Sequence, residues 1–226
     1  AAYRVAETID GRGVFSFCMC PGGWVVPAST APGELVVNGM SLARRDSPFA
    51  NSGLVVALEP ADWQKLGFSG PLGGTELQER IERAAFEAGG GMLVAPAARV
   101  EDFAAGRASS SVPDTSYIPG IVAADLASVL DVAGIPIAER IRRALHDFNR
   151  TMRGYLTNEA VLVGVESRTS SPVRVPRDPE SLESPDISGL FPTGEGAGYA
   201  GGIVSAALDG MRVAERIAAS LATPRH

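Results

Sequence analysis

The chain has 226 residues, of which 45% are hydrophobic and 20% charged, with two cysteines and a formal net charge of −6. This composition predicts a globular core and excludes a disordered chain, a collagen, a coiled coil and a disulfide scaffold. Because no apolar run approaches the roughly 20 residues that span a bilayer, and we find no signal peptide, we expect a cytoplasmic protein without membrane partners.

The first hundred residues are predicted to be mainly β-structure. Apolar residues predict a strand over 14–20, and Pro21-Gly22-Gly23 predicts a turn into a hairpin arm at 24–26. Further short strands are predicted at 35–37, 54–58 and 92–95. One helix is predicted from Thr75, which has capping-box spacing to Gln78, up to the glycines at 89–91.

The second half of the chain is predicted to be more helical. The Ser-rich segment 106–114 is the best linker candidate, and helices are predicted over 121–130 and from Pro136 to Met152. A buried strand over 161–165, a polar loop over 166–186, a short strand at 190–191 and a final helix over 203–222 follow. We therefore predict a substrate or cap domain over 1–158 (β-rich over 1–105, helical over 115–158) and a separate C-terminal segment over 159–226.

Cys18 and Cys20 are two apart on a predicted strand, so they are expected on one face. Their expected Cα separation of about 6.6 Å, from ~3.3 Å per residue, lies at the upper limit for a disulfide. The pair fits buried structural thiols or a strained, reducible bridge, and it is only a weak candidate for catalysis. No metal site is expected, because only His146 and His226 could add to the four ligands that zinc prefers.

The basic helix over 137–152 shows no catalytic pattern. Without a G-x-S-x-G motif, His146 is predicted to be a surface histidine rather than part of a hydrolytic triad. Arg140, Arg142 and Arg143 are predicted to form a solvated face of this helix. Given the acidic net charge, nucleic-acid binding has little electrostatic support.

A glycine-rich turn precedes the final helix. Gly196, Gly198 and Gly201 spell G-x-G-x-x-G, which permits a tight turn and a close approach of a ligand to the helix N-terminus. Because no second strand follows, the turn is predicted to close a domain rather than to open a dinucleotide-binding βαβ unit. Glu195 could accept hydrogen bonds from sugar or polyol hydroxyls, although the glycines could also serve close packing alone.

The loop over 168–177 carries three arginines and three hydroxyl side chains. Guanidinium groups bind carboxylates and phosphates, and hydroxyls add neutral donors. Arg168, Thr169 and Ser170 are therefore either anion contacts or part of a solvated loop.

Three stretches together resemble a known family. Residues 189–202, Phe17-Cys18-Met19-Cys20-Pro21-Gly22-Gly23 and the segment 166–174 occur in the order found in uncharacterised FAD-dependent (NAD(FAD)-utilising) dehydrogenases. The resemblance implies a mixed α/β fold, in which a β-rich cap domain with helices precedes a strand, a Gly-rich turn and a helix that complete a Rossmann-type FAD domain. The cofactor contacts that it implies are Gly194, Glu195 at the ribityl chain, Gly196, Gly198, Tyr199, Gly201, Gly202, Arg168, Thr169 and Ser170.

The resemblance also implies an activity, hydride transfer between a small-molecule substrate and FAD, with a nicotinamide as a candidate reductant. The family's opening βαβ unit has no counterpart here, so we expect the C-terminal part of a longer, flavin-binding protein. The alternative is a non-catalytic fragment or binding module that does not hold flavin by itself. Exposed apolar surface would then make the fragment associate with itself.

Overall fold

The computed structural model describes residues 5–222. It is a mixed α/β structure whose strands form separate small sheets. The elements in chain order are β1 (Val5–Ile9), β2 (Arg12–Pro21), β3 (Trp24–Pro27), β4 (Val37–Met40), β5 (Ala50–Val56), α1 (Pro60–Gln64), α2 (Gly73–Ala88), β6 (Ala95–Arg99), α3 (Val100–Ala104), β7 (Ile121–Ala123), α4 (Leu126–Leu130), α5 (Ile137–Thr151), β8 (Val161–Val163) and α6 (Ile203–Ala222).

The first sheet has the antiparallel order β1-β2-β5. Asp10 and Gly11 join β1 to β2 with positive φ angles of 49° and 75°, which is the conformation that an Asp-Gly hairpin turn requires. The predicted strand over 14–20 is confirmed within β2, whereas β1 was not predicted. The register of β2 against β5 shifts between Phe17 and Cys20, so β2 carries a bulge at this point.

The predicted hairpin between 14–20 and 24–26 is wrong in its pairing. The arm exists as β3, but it pairs with β4, from Trp24 opposite Met40 to Pro27 opposite Val37. Since β1 and β5 occupy both edges of β2, no edge remains there for β3. The strand predicted over 35–37 forms as β4, but it begins only at Val37.

The third sheet has the order β7-β6-β8 and corrects two predictions. Met92 and Leu93 have φ angles of 54° and 63°, which end any extended strand there, so β6 begins only at Ala95. Residues 121–123 form β7 parallel to β6 rather than the start of a helix, and α4 begins at Leu126 after the capping side chain of Asp125. The strand predicted over 161–165 is confirmed in part as β8.

Two long helices, α2 and α5, contribute to the core and were correctly predicted. Helix α2 ends before Gly89, and a Cβ at Gly89 would lie 1.8 Å from the Val94 carbonyl oxygen, so the chain can turn this closely only at glycine. Helix α5 buries Ile141, Leu145 and Phe148 in the core. His146 is exposed, as predicted.

One prediction for α5 is wrong. Arg143 is exposed and Arg142 half-buried, but Arg140 retains only 8% of its accessible surface. The positive charge of the Arg140 guanidinium helps to lower the pKa of Asp62, which is also buried. Burial of this cation follows from the long-range packing of α5, which helical periodicity does not specify.

The chain divides into two compact units. The first unit contains residues up to Ser69 together with Glu76–Ser167, and the second contains Gly70–Thr75 with the residues from Arg168 onward. The Ser-rich segment 106–114 lies inside the first unit, where the Ser109 hydroxyl accepts from the Arg99 amide and donates to Asp102.

The second unit has little regular structure before α6. No strand forms at 190–191, so the glycine-rich turn follows irregular chain rather than a strand. Helix α6 is confirmed, but most of its apolar residues are exposed, and Val213 is the buried one. Within residues 5–222, no helix combines the length and apolarity needed to cross a bilayer.

Candidate functional site

The glycine-rich turn folds on itself within the second unit. The Gly198 amide donates to the Glu195 carbonyl oxygen at 2.9 Å, and the Tyr199 amide donates to the Gly194 carbonyl oxygen at 3.0 Å. Gly194 and Gly198 have φ angles of 72° and 81°, a region that favours glycine. The turn therefore needs glycine at these two positions for its own geometry.

The turn packs closely against the loop that follows Ser171. The Val175 amide donates to the Ala197 carbonyl oxygen, and the Ser171 hydroxyl donates to the Gly196 carbonyl oxygen. A Cβ at Gly198 would lie 2.5 Å from the Val173 carbonyl oxygen. The structure thus brings together the two motifs that the sequence singled out after residue 166.

Gly196 and Gly201 differ from these glycines. Neither has a positive φ, and no other described atom lies within 4 Å of the position that a Cβ would occupy. The described chain would therefore accept a side chain at both positions. The space beside them is open to a ligand that approaches the backbone.

An ion pair holds the turn to α6. The Asp209 carboxylate accepts hydrogen bonds from both terminal nitrogens of Arg177, at 3.0 Å from Nη1 and 2.6 Å from Nη2. It also accepts the Gly194 amide and the Thr193 hydroxyl, each at 2.9 Å. The hydrogen bonds from Arg177 and these two donors outweigh burial and hold the pKa of Asp209 far below its usual range.

Tyr199 is held by the same arginine. The Arg177 guanidinium lies 3.6 Å and that of Arg174 4.4 Å from the centre of the Tyr199 ring, and the phenol donates to the Val175 carbonyl oxygen. A cavity of about 630 Å³ is lined by these side chains and by Arg212. Tyr199 therefore has a packing role within the second unit itself.

The remaining predicted cofactor contacts lie in the turn or at the start of the loop over 168–177. Glu195 and Gly202 are half-buried, and Thr169 is half-buried between the exposed residues Arg168 and Ser170. Their roles in cofactor binding stay predictions.

Sequence reasoning missed Asp209. The prediction for 203–222 covers only the helix itself and assigns no role to Asp209, which lies between Leu208 and Gly210. Asp209 is the single charged residue in the first two turns of α6, and that is the signal that could have revealed it.

The first unit holds the other predicted candidates, Cys18 and Cys20. Both thiols are free, and Cys18 is exposed whereas Cys20 is half-buried. The interpretation as buried structural thiols is therefore wrong for Cys18. Within residues 5–222, no cluster of three or more His, Cys, Asp or Glu side chains could hold a metal ion.

Comparison with known proteins assigns the chain to a family. The profile of the family described as "FAD-dependent protein, C-terminal domain-like" matches residues 1–169. The chain belongs to this family, whose match ends close to the boundary between the two compact units.

A relative extends the likeness beyond that boundary. An uncharacterised protein of Clostridium beijerinckii (strain ATCC 51743 / NCIMB 8052) is 45% identical over 216 residues, which cover 95% of this chain. The matched segment is 39% of the relative, so the chain spans well under half of its length.

Proposed function

We propose that this chain is the C-terminal part of a flavin-dependent oxidoreductase, in which the turn over 194–202 approaches FAD. The observation that carries the proposal is the open space at Gly196 and Gly201. Glycine at these positions is not needed by the described chain, but it is needed if a ligand occupies the space where a Cβ would lie. Membership of a family of FAD-dependent proteins supports FAD as that ligand.

The residues of the turn suit the parts of FAD. The first amides of α6, from Ile203 onward, have no partner within the helix, and the helix end is electropositive. They fit a phosphate or the electron-rich edge of the flavin ring. The carboxylate of Glu195 can accept hydrogen bonds from ribityl hydroxyls, and Asp209 keeps the Gly194 end of the turn in place.

The loop before the turn supplies complementary donors. Arg168, Thr169 and Ser170 offer a guanidinium and two hydroxyls to the cofactor or to a small-molecule substrate. When bound, FAD would supply hydride exchange with that substrate at the flavin N5, which would make the parent protein a dehydrogenase.

The exposed side of α6 supports a larger architecture. Ile203, Val204, Leu208, Met211 and Leu221 are each at least 60% exposed. In the proposed enzyme this apolar surface packs onto the sheet of a Rossmann-type FAD domain that lies outside the chain. Without that domain, the same surface is expected to make the isolated chain associate with itself.

The proposal is tested by flavin content. A chimera is made in which this chain replaces the matched segment of the C. beijerinckii relative, and the purified protein is assayed for bound flavin by absorbance. Gly196→Ala is expected to lower the flavin occupancy, because its methyl group enters the ligand space. The matched control Gly210→Ala also fills open space but lies within α6, and it is expected to keep the flavin.

Two results would contradict the proposal. One is a relative that carries flavin and a folded chimera that carries none. The other is equal flavin occupancy in the Gly196→Ala and Gly210→Ala proteins. Adding FAD to the 226-residue chain alone shows separately whether this part retains measurable affinity.

A second candidate is a non-catalytic module that does not hold flavin; it also fits the exposed apolar side of α6, and the flavin content of the chimera distinguishes it from the first. Sedimentation of the isolated chain is expected to show dimers or larger species. Replacing Leu208 and Met211 by glutamine is expected to reduce them. A monomer at all concentrations would contradict self-association.

A further inference from the structure

The two cysteines lie at an irregular point of β2. Cys18 has a φ of 50°, and the pairing register with β5 shifts between Phe17 and Cys20. The intervening Met19 packs against the buried cluster that contains Val14 and Phe148. At the bulge, the Met19 side chain therefore packs against the core, whereas Cys18 is exposed to solvent.

The second thiol is directed toward the first residue of the pair. The Cys20 Sγ lies 3.4 Å from the Cys18 carbonyl oxygen, within hydrogen-bond distance for sulfur. Cys20 is also close enough to act on the ionisation of the Cys18 thiol. Since the chain contains two cysteines in all, any disulfide within one molecule must join this pair.

A carboxyl group lies beside the bulge. Gly53 pairs with Phe17, and a Cβ at Gly53 would lie 2.8 Å from Glu166 Oε2 and 2.9 Å from the Phe17 ring. Because Gly53 has no side chain, the Glu166 carboxyl group has room to lie next to β5 at this position. Burial raises the pKa of Glu166.

We propose that Cys18 and Cys20 form a reversible disulfide on the exposed bulge of β2, beside the carboxyl group of Glu166. The oxidant is an organic disulfide such as glutathione disulfide. The Cys18 thiolate attacks it, forms a mixed disulfide and expels one glutathione thiolate. The Cys20 thiolate then attacks Cys18 Sγ and expels the second glutathione thiolate. The two protons of the cysteines end on the two glutathione thiols, so atoms and electrons balance.

The surroundings set the rate of the first step. Although the residue is exposed, partial desolvation of its thiol raises the pKa of Cys18, and the charge of Glu166 and the neighbouring Cys20 raise it further. The thiolate fraction near neutral pH is therefore small, and attack by Cys18 accelerates as the pH rises toward its pKa.

The experiment follows the thiols of the reduced 226-residue chain in glutathione redox buffers. Both titratable thiols are expected to disappear together, with the loss of two hydrogen atoms from the mass. Cys20→Ser is expected to stop at a glutathione adduct on Cys18, and Cys18→Ser to react more slowly, because Cys20 is half-buried. Circular dichroism checks that each serine variant retains its fold.

Two outcomes would overturn the pairing. One is an unmodified chain that ends as glutathione adducts or intermolecular dimers rather than as an internal disulfide. The other is a chain that keeps both thiols at every ratio of oxidised to reduced glutathione. The readout requires no flavin, so it stands or fails independently of the proposed flavin chemistry.

The role of Glu166 is tested by the alkylation rate of Cys18 in the Cys20→Ser background. Glu166→Gln removes the charge with little change of shape, so several-fold faster alkylation at a fixed neutral pH is expected. The control Glu159→Gln changes an exposed carboxylate and is expected to leave the rate unchanged. Equal rates in the two variants would exclude a role for Glu166.

Discussion

Asp62 is expected to be a principal electrostatic support of the first unit. Its Oδ2 accepts Arg12 Nε at 2.6 Å and the Glu59 amide at 2.8 Å, and 5% of the residue is exposed. Arg140 is 8% exposed, and its Nε and Nη1 atoms have no hydrogen-bond partner among the described residues. Asp62→Asn would leave two guanidinium groups without their shared counter-charge.

The expected loss in the free energy of unfolding can be worked out from these contacts. Hydrogen bonds to a charged group contribute about 1.5–3 kcal/mol each. The asparagine can still accept one neutral hydrogen bond, and partial exposure of Arg12 favours the lower end of that range. We therefore expect Asp62→Asn to lower the free energy of unfolding by about 3 kcal/mol, within the range for losing one member of a buried ion pair.

Urea unfolding at neutral pH measures this loss. The control is Asp10→Asn, because Asp10 also accepts an arginine, Arg143 Nη1, but both side chains are about half exposed. No resolvable change is expected in the control, since exposed ion pairs contribute little. Equal stabilities of the two variants would refute the assignment of Asp62 as a buried support.

The pH dependence gives a second check. Burial alone would raise the pKa of Asp62, but the hydrogen bonds from Arg12 and the Glu59 amide, with the charges of Arg12 and Arg140, lower it below its ordinary value. Its stabilising contribution is therefore complete above the unfolded-state pKa of about 4. The difference between the parent chain and Asp62→Asn should shrink as the pH falls below that value. A constant difference in acid would contradict this.

Three further predictions concern other parts of the chain. Arg140→Met is expected to lower the free energy of unfolding by less than Asp62→Asn does, because removing buried donors without partners offsets the loss of a charge near Asp62; a loss as large as that of Asp62→Asn would contradict this. Gly89→Ala is expected to cost about 2–3 kcal/mol in urea unfolding, since its Cβ would meet the Val94 carbonyl oxygen, whereas Gly210→Ala should cost nothing. Asp209→Asn is expected to accelerate hydrogen exchange at the Gly194 amide, which loses a charged acceptor; unchanged exchange would show that the ion pair does not hold the turn.

Local sequence signals were most reliable where local physics decides the structure. Helices α2 and α5 were predicted because their apolar periodicity extends over several turns. Helix α6 was predicted for the same reason, although its stripe lies exposed. Strand β1 was not predicted, although the Asp10-Gly11 turn marks its end. Its five residues show only a short apolar pattern, which is a weak strand signal.

The candidate site was predictable only in its outline. The glycines at 194–202 and the loop after Arg168 were recognised, and the structure brings the turn against residues 171–175 of that loop. Asp209 and Glu166 were not assigned roles. Each acts on a segment distant in the chain, Asp209 on the turn and Glu166 on the bulge of β2.

The sequence by itself determined the mixed α/β class, the long helices and the family, because composition, periodicity and motif order do not depend on which distant residues come into contact. The tertiary structure decided which strands pair, where β2 bulges and which ionic groups become buried. The edges of β2 are taken by β1 and β5, so β3 pairs with β4 instead. Arg140 is buried beside Asp62 for a similar reason, since partners far apart in sequence become neighbours only when the chain folds.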